Sequence, residues 1–139
     1  MNARAEGLGP RAGGGARTYL LVAGTLCVLL AVLGFTLVTS GEPAQGRWFS
    51  ADPAQSTLHG ALGIAAIAAG LLGSARQPAA AKALAIALLA LAVLGMLTPR
   101  LFGYPERMGL SLRWEVGENV AHLILGGWGA YVATNAQDE

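Results

Sequence analysis

Four long apolar stretches alternate with polar ones along the chain, at residues 18–39, 53–73, 79–97 and 118–134. None has the period-two alternation of a half-buried strand, and each is well beyond the roughly 4–8 residues of an ordinary strand, so the pattern predicts helices. At about 1.5 Å of rise per residue, runs near 20 residues match a hydrocarbon core about 30 Å thick. The expected fold is an all-α membrane protein, four transmembrane helices in a bundle, with residues 17–134 as its single domain. The fourth run is the shortest and needs Val116 and Gly117, or local thinning of the bilayer, to complete a crossing.

The boundaries carry their own chemistry. Asp52 before Pro53, with Gln55 two residues later, reads as a helix start in which Asp52 caps, the proline needs no donor and Gln55 reaches back to the cap's amide. "SARQPAA" at 74–80 is a tight polar turn, with Pro78 preset for a new helix. "TPRLFGYPERMGLSLRWEVG" at 98–117 reads as a longer loop, and the alternation at Leu110, Leu112, Trp114 and Val116 suggests an interfacial or strand-like segment. Residues 1–16 and 135–139 have nothing to pack and are read as tails, the first of them disordered. The first apolar run is too long for the core of a cleaved signal peptide and is expected to stay as a helix.

Composition agrees with the pattern. Of 139 residues, 54% are hydrophobic and 12% charged, more apolar content than a soluble domain of this size can bury. The net charge of +1 comes with no basic stripe, which argues against nucleic acid as a partner. The lone Cys27 excludes an internal disulfide and a thiolate metal site, and reads as a small core hydrophobe. Lys and Arg number five on the side of the termini and four on the other. Arg4, Arg11 and Arg17 before the first span favour a multi-pass inner (plasma) membrane protein with both termini cytoplasmic. Trp48, Phe49, Phe102, Tyr104 and Trp114 would then form the outer aromatic belt, with Tyr19 and Tyr131 at the inner face. The lipid bilayer is the first partner implied, with another membrane protein or a second copy of the chain as the next.

A repeat underlies the four runs. Sliding the chain by 63 residues lays "QSTLHGALG" on "ENVAHLILG", matching His59 to His122, Gly63 to Gly126, Asp52 to Glu115 and Gln55 to Glu118. Sliding by 61 lays "AVLG" at 31–34 on "AVLG" at 92–95, so the unit is a two-helix hairpin used twice, in tandem and in the same sense. The two histidines, which are all the chain has, are thereby expected at one depth. Small residues at Ala61, Ala65, Ala69 and Gly73, and at Gly126, Ala130 and Thr134, suggest stripes for close helix packing.

These motifs, in this order, resemble a family of small bacterial four-helix membrane proteins grouped as a domain of unknown function and common in high-GC actinobacteria. The likeness spans about residues 16–133: the opening "ARTYLLVAGTLCVLLAVLGF", a His-x-x-x-Gly helix, "LALAVLG", an "LFG" element and the closing "ENVAHLILG". The chain departs from it in the charged "YPERMGLSLRWEVG" loop and in Gln-Ser-Thr before His59, where family members carry asparagine. The resemblance implies a helical membrane fold and no assigned activity.

Ionisable groups in a span normally need a partner or a role. Glu118 and His122 lie one helical turn apart, with Asn119 beside them. The first expectation is structural: His122 bonds Glu118 or a backbone carbonyl and His59 does the same through Gln55, tying helices two and four together. That reading needs no catalytic residue, metal or cofactor and gives a non-enzymatic structural or accessory membrane protein. A second reading has His59 and His122 as axial ligands of a haem, or as ligands of a metal with Glu118 as a third. A third, a small transporter subunit, would use Glu118, Glu115 and Asp52, although no charge lies deep in any run. Ser56 and Thr57 adjoin His59 in sequence, but neighbours in a helix do not face one another and no acid accompanies them.

Overall fold

The computed structural model describes residues 14–39, 53–102 and 112–135, and all but Leu72 and Gly73 of these are helical. The order is α1 (Gly14–Thr39), α2 (Pro53–Leu71), a 3-10 turn (Ser74–Arg76), α3 (Gln77–Phe102) and α4 (Leu112–Asn135). Three of the four helices, over Gly14–Thr36, Pro53–Leu71 and Gln77–Leu97, are long and apolar enough to cross a membrane. At 24 residues α4 has the length, about 36 Å, but not the apolarity.

Several boundaries differ from expectation for identifiable reasons. Helix α1 starts at Gly14 inside the expected tail, because Ala16 is already buried in the core. Helix α3 continues past Pro99 to Phe102, and α4 starts at Leu112, so both ends of the expected 98–117 loop are helical. Leu112, Trp114 and Val116 are thus helical rather than strand-like; the alternation among them was a short-range coincidence within a 3.6-residue period. Leu110, Asp52 and the belt residues Trp48, Phe49 and Tyr104 lie outside the described residues, as do the side chains of Phe102, Trp114 and Glu115.

Helix α1 packs along α2 and α3 along α4, and each hairpin touches the other far less closely. Close approach within the first hairpin depends on glycine. A Cβ at Gly63 would stand 2.7 Å from the Gly24 carbonyl oxygen, and one at Gly24 would stand 2.9 Å from that of Gly63. In the second hairpin, Gly126 faces Leu89 and the Ala85 carbonyl in the same manner. At the far end of α2, the Gln77 side chain donates to the Gly70 and Leu72 carbonyls at 3.0 and 2.9 Å, satisfying acceptors that the helix end leaves open. Thr18, Thr57 and Thr134 turn their hydroxyls back onto carbonyls one turn earlier.

The buried positions of α2 are Ser56, His59, Gly63, Ala66 and Gly70. Those of α4 are Asn119, His122, Gly126, Gly129 and Ala133, each 63 residues further on. The stripe predicted at Ala61, Ala65, Ala69 and Gly73 is not the packing face: Ala61, Ala65 and Gly73 are exposed. A strict four-residue step advances 400° and so drifts around the helix, whereas the observed steps of three and four alternate and stay on one face. On α4, likewise, Gly126 is buried but Ala130 is half-buried and Thr134 exposed.

The core is small and the outside is large. Ala16, Ala23, Ala31, Ala66, Ala81, Ala85 and Ala92 are buried, together with the larger Tyr19, Leu20, Cys27, Leu84 and Leu88. Leu29, Val32, Ile64, Ile86, Leu94 and Ile124 point outward, each more than half exposed. Cys27 behaves as expected, a buried free thiol. Tyr19 does not sit in an inner belt; it is fully buried, edge-on to Trp128 with ring centroids 5.1 Å apart, in space left by Gly129. Tyr131, by contrast, is exposed.

Candidate functional site: a head-to-head histidine pair

The first two turns of α2 and the corresponding turns of α4 lie at the same end of the bundle, and their polar residues meet. Gln55 donates its side-chain amide to the Glu118 carboxylate. One turn deeper, His59 Nε2 and His122 Nε2 stand 3.0 Å apart. Both imidazoles are buried, at 3% and 5% exposure. The ring planes differ by 22° and the centroids are 5.3 Å apart, so the rings are nearly coplanar and meet tip to tip rather than lying face on face.

The hydrogen positions follow from the partners. His59 Nδ1 lies 3.0 Å from the Gln55 backbone carbonyl, which can only accept, so Nδ1 carries a hydrogen. In the neutral ring His59 Nε2 is then a bare lone pair, and His122 must supply the hydrogen from its own Nε2. That leaves His122 Nδ1 as a buried acceptor without a partner among the described residues. The cost of such a group is about 1–3 kcal/mol.

A cavity of about 240 Å³ adjoins the pair, lined by Cys27, Leu30, Leu125, Ala121 and Gly117 together with His59, His122 and Glu118. Asn119, also buried, packs elsewhere, into the notch at Gly95 on α3.

Sequence reasoning placed the five residues Gln55, His59, Glu118, Asn119 and His122 in one region, and four of them do converge. Their pairing differs. His59 meets the Gln55 carbonyl as expected, but His122 meets His59, Gln55 also reaches across to Glu118, and Asn119 leaves the cluster; the expected bond from Gln55 to the amide of Asp52 falls on a residue outside the described ones. The signal that would have found these pairs is the 63-residue offset itself, because both contacts join a residue to the one 63 positions further on. Cys27 was read as core and is also a wall of the cavity.

The arrangement also bears on the haem and metal readings. The two nitrogens are in hydrogen-bond contact at 3.0 Å, and the adjoining cavity is smaller than the roughly 300–1,000 Å³ of ordinary ligand pockets. Among the described residues no three His, Cys, Asp or Glu side chains converge as a metal cluster, so Glu118 does not complete a three-donor site with the histidines. No protein-family model, curated protein or solved structure matches the chain.

Proposed function

We propose that this chain is an integral membrane protein, a bundle of two like-oriented hairpins whose function is structural or accessory to another membrane component rather than enzymatic. The observation that carries the membrane assignment is the inverted distribution of side-chain size, with alanine and glycine inside and Leu, Ile and Val outside along α1, α2 and α3. In water such a surface is an aggregation hazard and such a core buries too little to hold together. In lipid the outward chains cost nothing, and small residues let backbones pack closely.

Helix α4 crosses with the others in this reading because it repeats α2, sharing its five buried positions at the 63-residue offset, and because its polar residues pair inward. The match between the Gly63–Gly24 and Gly126–Ala85 contacts supports a duplicated hairpin, since Ala85 lies 61 residues after Gly24. Gln55–Glu118 and His59–His122 are the polar tie between the two halves. The arginine distribution supports cytoplasmic termini.

Alkaline carbonate extraction of membranes expressing the chain tests insertion: the protein is expected in the pellet, and release into the supernatant refutes the assignment. For the tie, Gln55→Cys with Glu118→Cys in a Cys27→Ser background is expected to crosslink within one chain through a short bifunctional reagent. Absence of that product overturns the pairing of the hairpins. Crosslinking in native membranes should recover a reproducible membrane partner, and recovery of monomer alone removes support for the accessory role.

A further inference from the structure

We infer that the His59–His122 pair is a binding site for one monovalent copper ion, Cu(I), held in line between the two Nε2 atoms. The inference goes beyond the tie proposed above and rests on the same pairing of the hairpins.

Four observations lead there. First, two imidazole nitrogens aim their tips at each other, nearly coplanar, in a buried setting. That is the donor geometry of a two-coordinate ion, and neutral imidazole is a good ligand for copper. Second, the ring that must present a lone pair is already fixed to do so: His59 donates Nδ1–H to the Gln55 carbonyl, the outer-shell bond that metal-ligating histidines usually make. Third, His122 Nδ1 is unengaged among the described residues although the ring is 5% exposed. On binding, the hydrogen now on His122 Nε2 moves to Nδ1, both Nε2 lone pairs face the ion, and no proton is released. A ring whose Nδ1 already accepted a hydrogen bond could not make that change.

Fourth, the donor count and the surroundings select the ion. Among the described residues no third His, Cys, Asp or Glu converges with the two nitrogens, although Cys27 and Glu118 line the same cavity, and two donors suit linear, two-coordinate Cu(I), whereas Zn(II) normally takes four ligands. The cavity beside the rings is almost wholly apolar, and a single charge is cheaper to bring out of water there than a double one. Glu118, one helical turn from His122 and holding the Gln55 amide, supplies a negative charge on the same side of the bundle. With metal–nitrogen bonds of about 2 Å, the nitrogens must part from 3.0 Å to about 4 Å. The backbones of α2 and α4 have almost no close approach to resist this, and the cavity gives the rings room.

The test is a Cu(I) titration of the full chain in detergent under reducing conditions, with the bicinchoninate complex as donor and loss of its colour as readout. The expected result is one Cu(I) taken up per chain, with X-ray absorption of the loaded wild-type protein showing two nitrogen neighbours and no sulfur. His59→Ala and His122→Ala are each expected to lose uptake while Cys27→Ser keeps it. No uptake by the wild type, uptake that survives both histidine substitutions, a sulfur neighbour, or stoichiometric Zn(II) binding in preference to Cu(I) would each overturn the proposal. Because the absorption measurement uses the wild type, a histidine variant that fails to fold does not decide the question. A positive crosslink between positions 55 and 118 without copper uptake refutes the ion and leaves the tie standing.

Discussion

Gly63→Ala is the sharpest probe of how the first hairpin is held together. The added methyl would stand 2.7 Å from the Gly24 carbonyl oxygen and 2.8 Å from the Val28 backbone nitrogen, both inside van der Waals contact and both main-chain atoms. A side chain can rotate away, but a backbone cannot, so α1 and α2 must separate along their whole contact. Overpacking of this kind costs about 1–3 kcal/mol. Against it, alanine is a better helix former than glycine by about 0.8–1.0 kcal/mol. The expected net effect is a destabilisation of about 0–2 kcal/mol, the clash winning by a modest margin. The control is Gly127→Ala on α4, where a Cβ has nothing within 4 Å and the propensity gain stands alone. Reversible unfolding in mixed micelles, read by far-UV circular dichroism, should order the three proteins as Gly127→Ala above wild type above Gly63→Ala. A Gly24→Ala/Gly63→Ala double variant should lose less than the two single losses added, because helices already parted by one methyl accommodate the second. If Gly63→Ala and Gly127→Ala shift stability alike, the close contact does not exist and the packing argument fails.

Other substitutions test separate parts of the structure by the same unfolding assay. Tyr19→Phe removes a buried hydroxyl without a partner among the described residues and should stabilise by about 1 kcal/mol; a loss of stability would reveal a bond to that oxygen. Gln77→Ala deletes two bonds to the end of α2 and should cost about 1–3 kcal/mol, and no change would mean that water or another group caps those carbonyls equally well. His122→Leu should cost about 0.5–2 kcal/mol, the range of interhelical hydrogen bonds in membranes, while an unchanged melting profile would show that the imidazole contact contributes nothing.

The helices were legible because apolar runs of this length have few other solutions, and Pro78 and the polar turn before it marked the start of α3 well. Helix α4 was cut short because Arg113 and Glu115 look like loop residues when hydropathy is the guide, although charged residues continue a helix readily once it leaves the apolar core. Tyr19 was assigned to an aromatic belt by its position near a run's end. What drew it inward is the absence of a side chain at Gly129, a complementarity between α1 and α4 that no local pattern records. The small-residue stripes failed for a related reason: in a chain with so much alanine, small residues do not distinguish the packed face from the outward one. The pattern that did distinguish them was the repeat, since both helices bury the same five register positions.

The polar pairs follow from that repeat, and they give the duplicated-hairpin reading its own test. Under a two-fold relation, most residues meet a different partner, as Gly63 meets Gly24 and Gly126 meets Ala85. Only residues near the axis meet their own counterparts, and two pairs do, His59 with His122 and Gln55 with Glu118. A side chain that must pair with a copy of itself has to donate and accept at once, which a neutral imidazole does and a carboxylate does not. On the duplicated-hairpin reading this is why the deeper pair is identical, while the outer pair is complementary, an amide against an acid. It follows that Glu118→Gln, which sets two amides face to face, should be tolerated. Gln55→Glu sets two carboxylates in contact, and should cost about 1.5–3 kcal/mol for the lost bond to a charged group before any repulsion is added. Unfolding of both variants at neutral pH decides it: a Gln55→Glu protein as stable as wild type would mean that positions 55 and 118 do not share an axis.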